Sequence, residues 1–306
     1  MPPLAPGLDF VDLNFLARPA IIATAVLHGP AGVALVDPGP ATTLPTLEQE
    51  LGRKGITFED VRQLLVTHIH LDHSGATGTI VERHPHIEVF VHERGAPHMI
   101  DPSKLLSSAG RLYGQDMGRL WGDVRPVPAE RIKVLQGGET LTAAGRDLKV
   151  EYTPGHASHH VSFLDIASQV AFVGDTAGIR RGSGAYVMPP TPPPDIDIEA
   201  WQASQQKILS WEPETLFLTH FGPVHGARQH LQAMFENMAE WSRIVRRLLG
   251  DLTLDDAERQ RRFTDEAAQI LKRRVGEAEA DGYMRAGGLN YSYQGLARYW
   301  RRKNAR

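Results

Sequence analysis

Between Thr67 and Gly75 the chain reads Thr-His-Ile-His-Leu-Asp-His-Ser-Gly, which puts His68, His70, Asp72 and His73 inside six residues. Imidazole is the commonest biological metal ligand, and a carboxylate adds a hard anionic oxygen. Upstream, Val-Arg-Gln-Leu-Leu-Val from Val61 to Val66 predicts a buried strand. Downstream, Ser74 and Gly75 open a stretch that reads as helical up to Pro85. The run therefore sits on a strand-to-helix turn. In extended backbone His68 and His70, two apart, point to the same side, while Asp72 and His73 fall past the bend and face a second point. The spacing predicts two adjacent metal sites. The plainer reading, a polar loop whose histidines only hydrogen-bond backbone, fits poorly with so many ligands in so short a run.

The chain contains no Cys, so no thiolate and no disulfide is available, and any metal must be held by nitrogen and oxygen donors. Its 306 residues, 42% hydrophobic and 23% charged, suit one large α/β domain plus an extension. A net charge of -3 gives no global pull toward nucleic acid or anionic membrane. The start of the chain lacks the basic residues of a secretory signal, and the apolar run Ala20–Leu27 is far short of the ~20 residues a membrane span needs. The expectation is a cytoplasmic protein that works away from membranes.

Along the chain, Ile21–His28 and Gly32–Val36 read as a hairpin joined by Gly-Pro-Ala-Gly, and the second run ends in Asp37-Pro38-Gly39. Leu44–Arg53 reads as a helix and Ile87–His92 as a strand, and this alternation predicts layered α/β architecture. Residues 93–130 hold four prolines and scattered apolar positions. They read as short helices in an insertion that could cover a ligand cleft. Tyr113, Arg119 and Trp121 are candidate substrate contacts there, with packing onto their own domain as the alternative. Ile132–Leu135, Glu139–Leu141 and Leu148–Tyr152 read as strands of a second sheet, the last running into Thr-Pro-Gly-His at residues 153–156. Val161–Asp165 and Gln169–Val173 follow, the latter ending in Gly174-Asp175. Arg180–Gly184 reads as a cationic loop, and Met188–Pro194 as extended polyproline backbone. Asp197 reads as the cap of a helix through Leu209. Leu216–Thr219 is a short strand that delivers His220, followed by a turn at residues 221–223. From Gly226 the texture is helical, with an amphipathic stripe from Leu231 to Leu248, a second helix opening at Thr253–Asp256 and a last one over Asn290–Arg302. The extension is rich in Arg but interleaved with acids, which argues for a solvated face and against a nucleic-acid patch.

Taken together and in this order, these motifs resemble the metallo-β-lactamase-fold hydrolase superfamily, in particular its glyoxalase II-like branch, over roughly residues 10–225. The resemblance implies an α/β fold, an αββα sandwich of two mixed β-sheets flanked by helices. Residues 1–225 would form the catalytic domain and 226–306 a helical C-terminal extension. It implies two divalent metal ions: one on His68, His70 and His156, the other on Asp72, His73 and His220, with Asp175 shared. Asp37 would support the centre by orienting a ligand imidazole, or would simply open a turn. His160 matches a further motif histidine that is usually not a ligand, His159 reads as a hydrogen-bonding residue, and His225 as structural or substrate-facing. Zinc is the first expectation, with manganese or iron also compatible.

Two ions sharing a hydroxide would attack an electrophilic carbonyl or phosphorus, with Asp72 and Asp175 as the catalytic carboxylates. The expected reaction is hydrolysis of a small ester, thioester or lactone, with Arg180 and Arg181 favouring an anionic one. The alternatives are a phosphodiesterase or nuclease with the same metal core, and a mononuclear-iron persulfide dioxygenase. The chain departs from family patterns in places. It has no Cys for the second site of the commonest zinc β-lactamases. Thr176-Ala177-Gly178-Ile179 stands where acyl-homoserine lactonases carry a Tyr. Arg180-Arg181-Gly182 replaces the Gly-Cys-Gly-type segment of hydroxyacylglutathione hydrolases. The partner expected is a small molecule, and the C-terminal helices are the surface through which a homo-oligomer would form.

Overall fold

A computed structural model of the chain describes residues 4–182, 184 and 186–305. Met1–Pro3 of the N-terminal run and Ser183 of the expected cationic loop lie outside the described residues.

The predicted hairpin forms, as β2 (Ala23–Gly29) and β3 (Gly32–Val36), with β1 (Leu8–Asp12) antiparallel beside β2. From β3 onward the pairing turns parallel, through β4 (Val61–Leu65), β5 (Glu88–His92) and β6 (Ile132–Leu135). The first sheet is therefore mixed, in the order β1-β2-β3-β4-β5-β6. Sequence pattern assigned Ile132–Leu135 to the second sheet, and the structure corrects this. Parallel strands need a long crossover rather than a tight turn, and residues 93–131 are that crossover between β5 and β6.

The next strands are β7 (Thr140–Ala143), β8 (Arg146–Tyr152), β9 (Val161–Asp165) and β10 (Val170–Phe172). A small ribbon of β11 (Ile179–Arg180) and β12 (Val187–Met188) follows. Then β13 (Thr215–Leu218) and β14 (Gly222–His225) complete a second mixed sheet of order β14-β13-β10-β9-β8-β7. The expected turn at residues 221–223 is thus the start of a strand. Pro223 is tolerated there because β14 is an edge strand, where a missing N–H breaks no ladder.

Helices cover both outer faces. On the first half these are α1 (Leu44–Arg53), α2 (Leu71–Ser74), α3 (Thr77–Arg83), α4 (Ala96–Ile100), α5 (Ser103–Tyr113) and α6 (Met117–Leu120). The second half carries α7 (Ile198–Ser210), α8 (Ala227–Gly250), α9 (Asp256–Val275), α10 (Glu277–Gly287) and α11 (Leu289–Asn304). Their faces follow from spacing. α1 buries Leu44, Leu47 and Leu51, and α8 buries Leu231, Met234, Met238, Trp241, Val245 and Leu248, steps of three and four residues. The Asp197 carboxylate caps α7 by accepting from the Ala200 N–H (2.9 Å), as the sequence predicts. The second C-terminal helix is capped two residues later than expected, by Asp255 accepting from the Glu258 N–H (2.8 Å).

Four apolar clusters follow from this layering. Between the sheets lie Phe10, Val36 and Leu65 of one with Leu148, Phe163, Phe172 and Phe217 of the other. Outside the first sheet, α1, α3 and the 93–130 crossover pack on β3, β4 and β5. Outside the second, α7 and α8 cover Leu164, Leu216 and Leu218. The C-terminal helices share a fourth cluster with Tyr186, Val187, Met188, Ile196 and Trp201, so they grip the segment between β11 and α7. No described helix is long and apolar enough to cross a membrane.

Candidate metal centre

Every predicted ligand comes from a segment that follows the C-terminal end of a strand. Thr67–His73 follows β4, Thr153–His156 follows β8, Gly174–Asp175 follows β10 and Thr219–His220 follows β13. These ends lie at one edge of the sandwich, where the chain leaves its ladders and the side chains can converge. Gly155 permits one such exit. Its φ is +136°, and a Cβ there would sit 2.2 Å from Trp201 Cβ, so only glycine lets the strand end pass α7.

The first triad is His68, His70 and His156. His70 Nδ1 lies 3.0 Å from His68 Nε2 and 2.9 Å from His156 Nε2. In the second triad His73 Nε2 and His220 Nε2 are 3.2 Å apart, and Asp72 Oδ2 lies 3.3 Å from His220 Nε2. Asp175 spans the two. Its Oδ2 is 3.3 Å from His156 Nε2, and its Oδ1 is 3.2 Å from His73 Nε2 and 3.4 Å from His220 Nε2.

The far side of the rings fixes which nitrogen faces inward. The Nδ1–H of His156 donates to the Pro190 carbonyl (2.8 Å) and that of His220 to the Ile21 carbonyl (2.7 Å), leaving each Nε2 lone pair pointing into the cluster. The Nδ1–H of His73 donates to Asp37 Oδ2 (2.8 Å). Asp37 is fully buried and saturated. It also accepts from the Thr67 N–H (2.8 Å), the Thr67 hydroxyl (2.8 Å) and the Thr219 hydroxyl (2.8 Å). Those two threonines stand immediately before His68 and His220, so one carboxylate ties together the ends of β3, β4 and β13. Sequence reasoning named Asp37 but missed Thr67 and Thr219, although the repeated doublet Thr-His at two strand ends was a readable signal.

The charges of the two triads are set differently. Burial, then repulsion from His73 and the other imidazoles, pulls His68 well below its ordinary pKa. Burial and His156 bring His70 down to about 4, and burial lowers His156. Burial also opposes the charged form of His73, but Asp37, Asp175 and Asp72 outweigh it and hold His73 well above its usual value. Asp175 and the Asp72 hydrogen bond raise His220 against the same burial. In return His73 and His220 overcome the burial of Asp72 and hold it down to about 2, while His156, His73 and His220 keep Asp175 well below the usual carboxylate range.

This donor set fits metal ions. Asp175 Oδ1 is buried with no hydrogen-bond partner, a cost of about 1–3 kcal/mol that a cation would relieve. Three overlapping groups, His68/His70/His156, His68/His73/Asp175 and Asp72/His73/His220, each bring ligand atoms within 4.8 Å of one another. All donors are nitrogen or carboxylate oxygen, which suits zinc, manganese or iron.

His160 stays out of the cluster. It stacks on His68 (ring centroids 4.9 Å apart), and its Nδ1 is 2.9 Å from the Thr153 hydroxyl. His159 Nδ1 accepts from the Ile69 N–H (3.4 Å). His225 lies on exposed β14 against the Thr215 hydroxyl (3.1 Å), away from the centre.

The centre forms the floor of a cleft of about 970 Å³. The 93–130 crossover and the C-terminal helices supply its walls. Tyr113 and Trp121 line it, with ring centroids 5.1 Å apart, and Tyr291 of α11 meets Tyr113 at 5.2 Å. Arg119 lines it too and pairs with Asp116 (2.9 Å). Arg180 and Arg181 do not line the cleft. The Arg180 N–H donates to the His220 carbonyl (2.6 Å), and the Arg181 guanidinium donates to the Ala20 carbonyl (2.8 Å). The cleft's cations are instead Arg18, Arg94, Lys104, Arg111, Arg119, Arg285 and Arg298, of which the sequence singles out only Arg119. Only the fold brings these scattered positions together.

Comparison with known proteins adds relatives to this geometry. The family model described as the metallo-beta-lactamase superfamily matches residues 18–220. A metallo-beta-lactamase fold-containing protein of Sulfurisphaera tokodaii is 24% identical over 234 residues, covering 74% of this chain and 84% of that protein. A hydroxyacylglutathione hydrolase of Synechococcus is 31% identical over 157 residues, 49% of this chain and 47% of that protein. An atrochrysone carboxyl ACP thioesterase of Aspergillus fumigatus is 23% identical over 227 residues, 72% of this chain and 58% of that protein. With the last two the similarity spans only about half of the relative's length. Among solved structures, a metallo-beta-lactamase family protein of Thermus thermophilus superposes with a TM-score of 0.69 at 23% identity, covering 99% of this chain and 95% of that one.

Proposed function

Because the chain belongs to the metallo-β-lactamase superfamily of metal-dependent hydrolases, we propose that it hydrolyses a small anionic thioester or ester with two divalent ions, most readily zinc. The observation that carries this reading is Asp175, which directs one carboxylate oxygen toward each triad. His68, His70 and His156 would hold one ion, Asp72, His73 and His220 the other, and Asp175 both. Ions bound there supply Lewis acidity, lowering the pKa of water from 15.7 toward ~7 and drawing charge from a carbonyl oxygen.

The chain's own residues do the rest. The Pro190 and Ile21 carbonyls and the Asp37 carboxylate lock the ring orientations, so no reorganisation is needed at reaction. Asp72 lies at the cleft floor with its side chain 25% exposed, the ligand carboxylate best placed to take a proton from an incoming nucleophile and hand it to the departing group. Tyr113 and Trp121 give the acyl part an apolar wall, and their rings exclude water from one side of the floor.

The substrate class follows from charge. The chain carries a net charge of -3. Among the described residues its cleft nevertheless presents seven Arg or Lys side chains and, besides Asp72 and Asp175, one carboxylate, Asp195. A cleft of one sign between low-dielectric walls concentrates the opposite sign. The similarity to a hydroxyacylglutathione hydrolase and to an ACP thioesterase favours a thioester over a lactone.

The test is a panel of thioesters, esters, lactones, β-lactams and activated phosphodiesters offered to metal-replete protein near neutral pH, with Asp175→Ala as the control for contaminating enzyme. Preference for anionic thioesters, absent in the control, is the expected result. A phosphodiester as the best substrate, or activity unchanged in Asp175→Ala, would overturn the reading.

A further inference from the structure

We propose that the C-terminal helix α11 positions the first metal triad from behind, through the proline strap at residues 189–194, with Gly295 as the positioning residue. This rests on the reading that His68, His70 and His156 hold an ion.

The strap matters because its Pro190 carbonyl is the acceptor for His156 Nδ1–H (2.8 Å). It is also unusually hard to hold in place by its own backbone. Five of its six residues are proline, so Thr191 carries the only N–H between 189 and 194. A sheet ladder cannot fix such a segment, and something else must set where the Pro190 carbonyl lies.

What lies against it is one stripe of α11. Gly295 is so close that a Cβ there would stand 2.1 Å from the Thr191 carbonyl oxygen and 2.8 Å from the Pro192 carbonyl carbon. One turn earlier, the Ser292 carbonyl accepts from the Thr191 hydroxyl (3.5 Å). One turn later, the Arg298 Nε–H donates to the Pro194 carbonyl (3.2 Å). Beyond the strap, the Tyr299 hydroxyl reaches Glu199 in α7 (2.9 Å). Thr191, Ser292 and Gly295 are all buried. Residues 292, 295, 298 and 299 recur at three or four, so helix and strap run side by side in register. A glycine in a helix interior costs roughly 0.5–1 kcal/mol relative to alanine. Here its missing side chain is what lets the strap's backbone lie against the helix.

The consequence is specific to one triad. Displacing the strap moves the acceptor of His156, while His73 and His220 take their orientation from the Asp37 carboxylate and the Ile21 carbonyl, neither of which belongs to the strap. Removing the group that orients a ligand imidazole typically costs 10–100-fold in metal affinity.

The experiment measures zinc affinity of the full chain by competition with a chromogenic chelator, together with the visible spectrum of the Co²⁺-substituted protein. Gly295→Ala should weaken one of the two zinc sites 10–100-fold and alter the Co²⁺ bands, while the other changes less than about threefold. A general loss of stability would weaken both alike. Gly52→Ala, in α1 where a Cβ meets nothing within 4 Å, is the control and should change neither. Arg298→Gln removes the Pro194 tie without a clash and should shift the same site in the same direction. It is the deciding variant if Gly295→Ala does not fold. Wild-type protein that binds no zinc would sink the metal reading itself. Wild-type protein that binds zinc, with both sites unchanged in the folded variants, would overturn only the role of α11.

Discussion

The two triads share a wall yet are built on opposite electrical plans. The first is three imidazoles whose rings are backed by neutral groups, the Thr67 hydroxyl (3.1 Å from His68 Nδ1) and the Pro190 carbonyl. Burial and mutual repulsion keep its histidines below their usual pKa. The second contains Asp72 and has Asp37 behind His73, so its histidines hold protons more tightly than free imidazole. An ion entering the first triad would therefore displace fewer protons than one entering the second. The imidazoles reach these two states because of the charges around them: Asp37, Asp175 and Asp72 face His73, and Asp175 and Asp72 face His220, whereas His68 faces mainly other imidazoles.

Removing Asp175, which joins the two, should have the largest effect. Asp175→Ala is expected to lower kcat/KM by about 10³-fold, on the order of 4 kcal/mol in barrier, and to reduce the zinc bound per chain toward one. Retention of two tightly bound ions by mass spectrometry would show the triads to be independent.

Asp37 tests the asymmetry directly. Asp37→Ala strands the donors of Thr67, Thr219 and His73, and should cost about 3–5 kcal/mol of stability in urea unfolding. An ion on His68, His70 and His156 should survive this better than one on Asp72, His73 and His220, because Asp37 backs His73. Equal weakening of both would mean that Asp37 supports the centre only as general scaffold.

The pH dependence should sharpen the contrast. A ligand whose pKa is raised keeps its proton to higher pH in the metal-free protein, so binding expels more proton there and affinity climbs with pH until the raised pKa is passed. A ligand whose pKa is lowered is already neutral and expels almost none. Calorimetry in buffers of different ionisation enthalpy between pH 6 and 8 should therefore show proton release chiefly with the second ion. Equal release for both would contradict the charge plan.

The smallest effect concerns the cleft wall rather than the floor. Lys104→Gln with Arg111→Gln removes two exposed cations, each worth up to about 1 kcal/mol. The KM for an anionic thioester should rise several-fold with kcat nearly unchanged, and the difference should shrink in high salt. A comparable rise for a neutral substrate would point to altered packing.

Much of the floor was legible because strand ends announce themselves. An apolar run stops, and a histidine or aspartate follows within a residue or two, as at Val66–His68, Val173–Asp175 and Leu218–His220. Short-range patterns of this kind carry both the strand and the chemistry. The walls left no such trace. Arg180 and Arg181 read as substrate contacts in the sequence, yet neither lines the cleft, and the Arg181 guanidinium turns to the Ala20 carbonyl. Lys104, Tyr291 and Arg298 carry no such signal, because helical periodicity says which face is polar and not what that face looks onto.

By itself, then, the sequence determined the donor chemistry. With no Cys and with histidines and aspartates at strand ends, any ion here is held by nitrogen and oxygen. It also determined a layered α/β architecture, written in the alternation of apolar strand runs and helical stripes. Only the tertiary structure decided that β6 joins the first sheet, that Asp37 ties Thr67, His73 and Thr219 together, and that α5 and α11 wall one cleft. Those outcomes depend on contacts between segments tens to hundreds of residues apart, such as Tyr113 with Tyr291 and Gly295 with Thr191. Local backbone preference does not encode such pairings, and packing of the whole chain does.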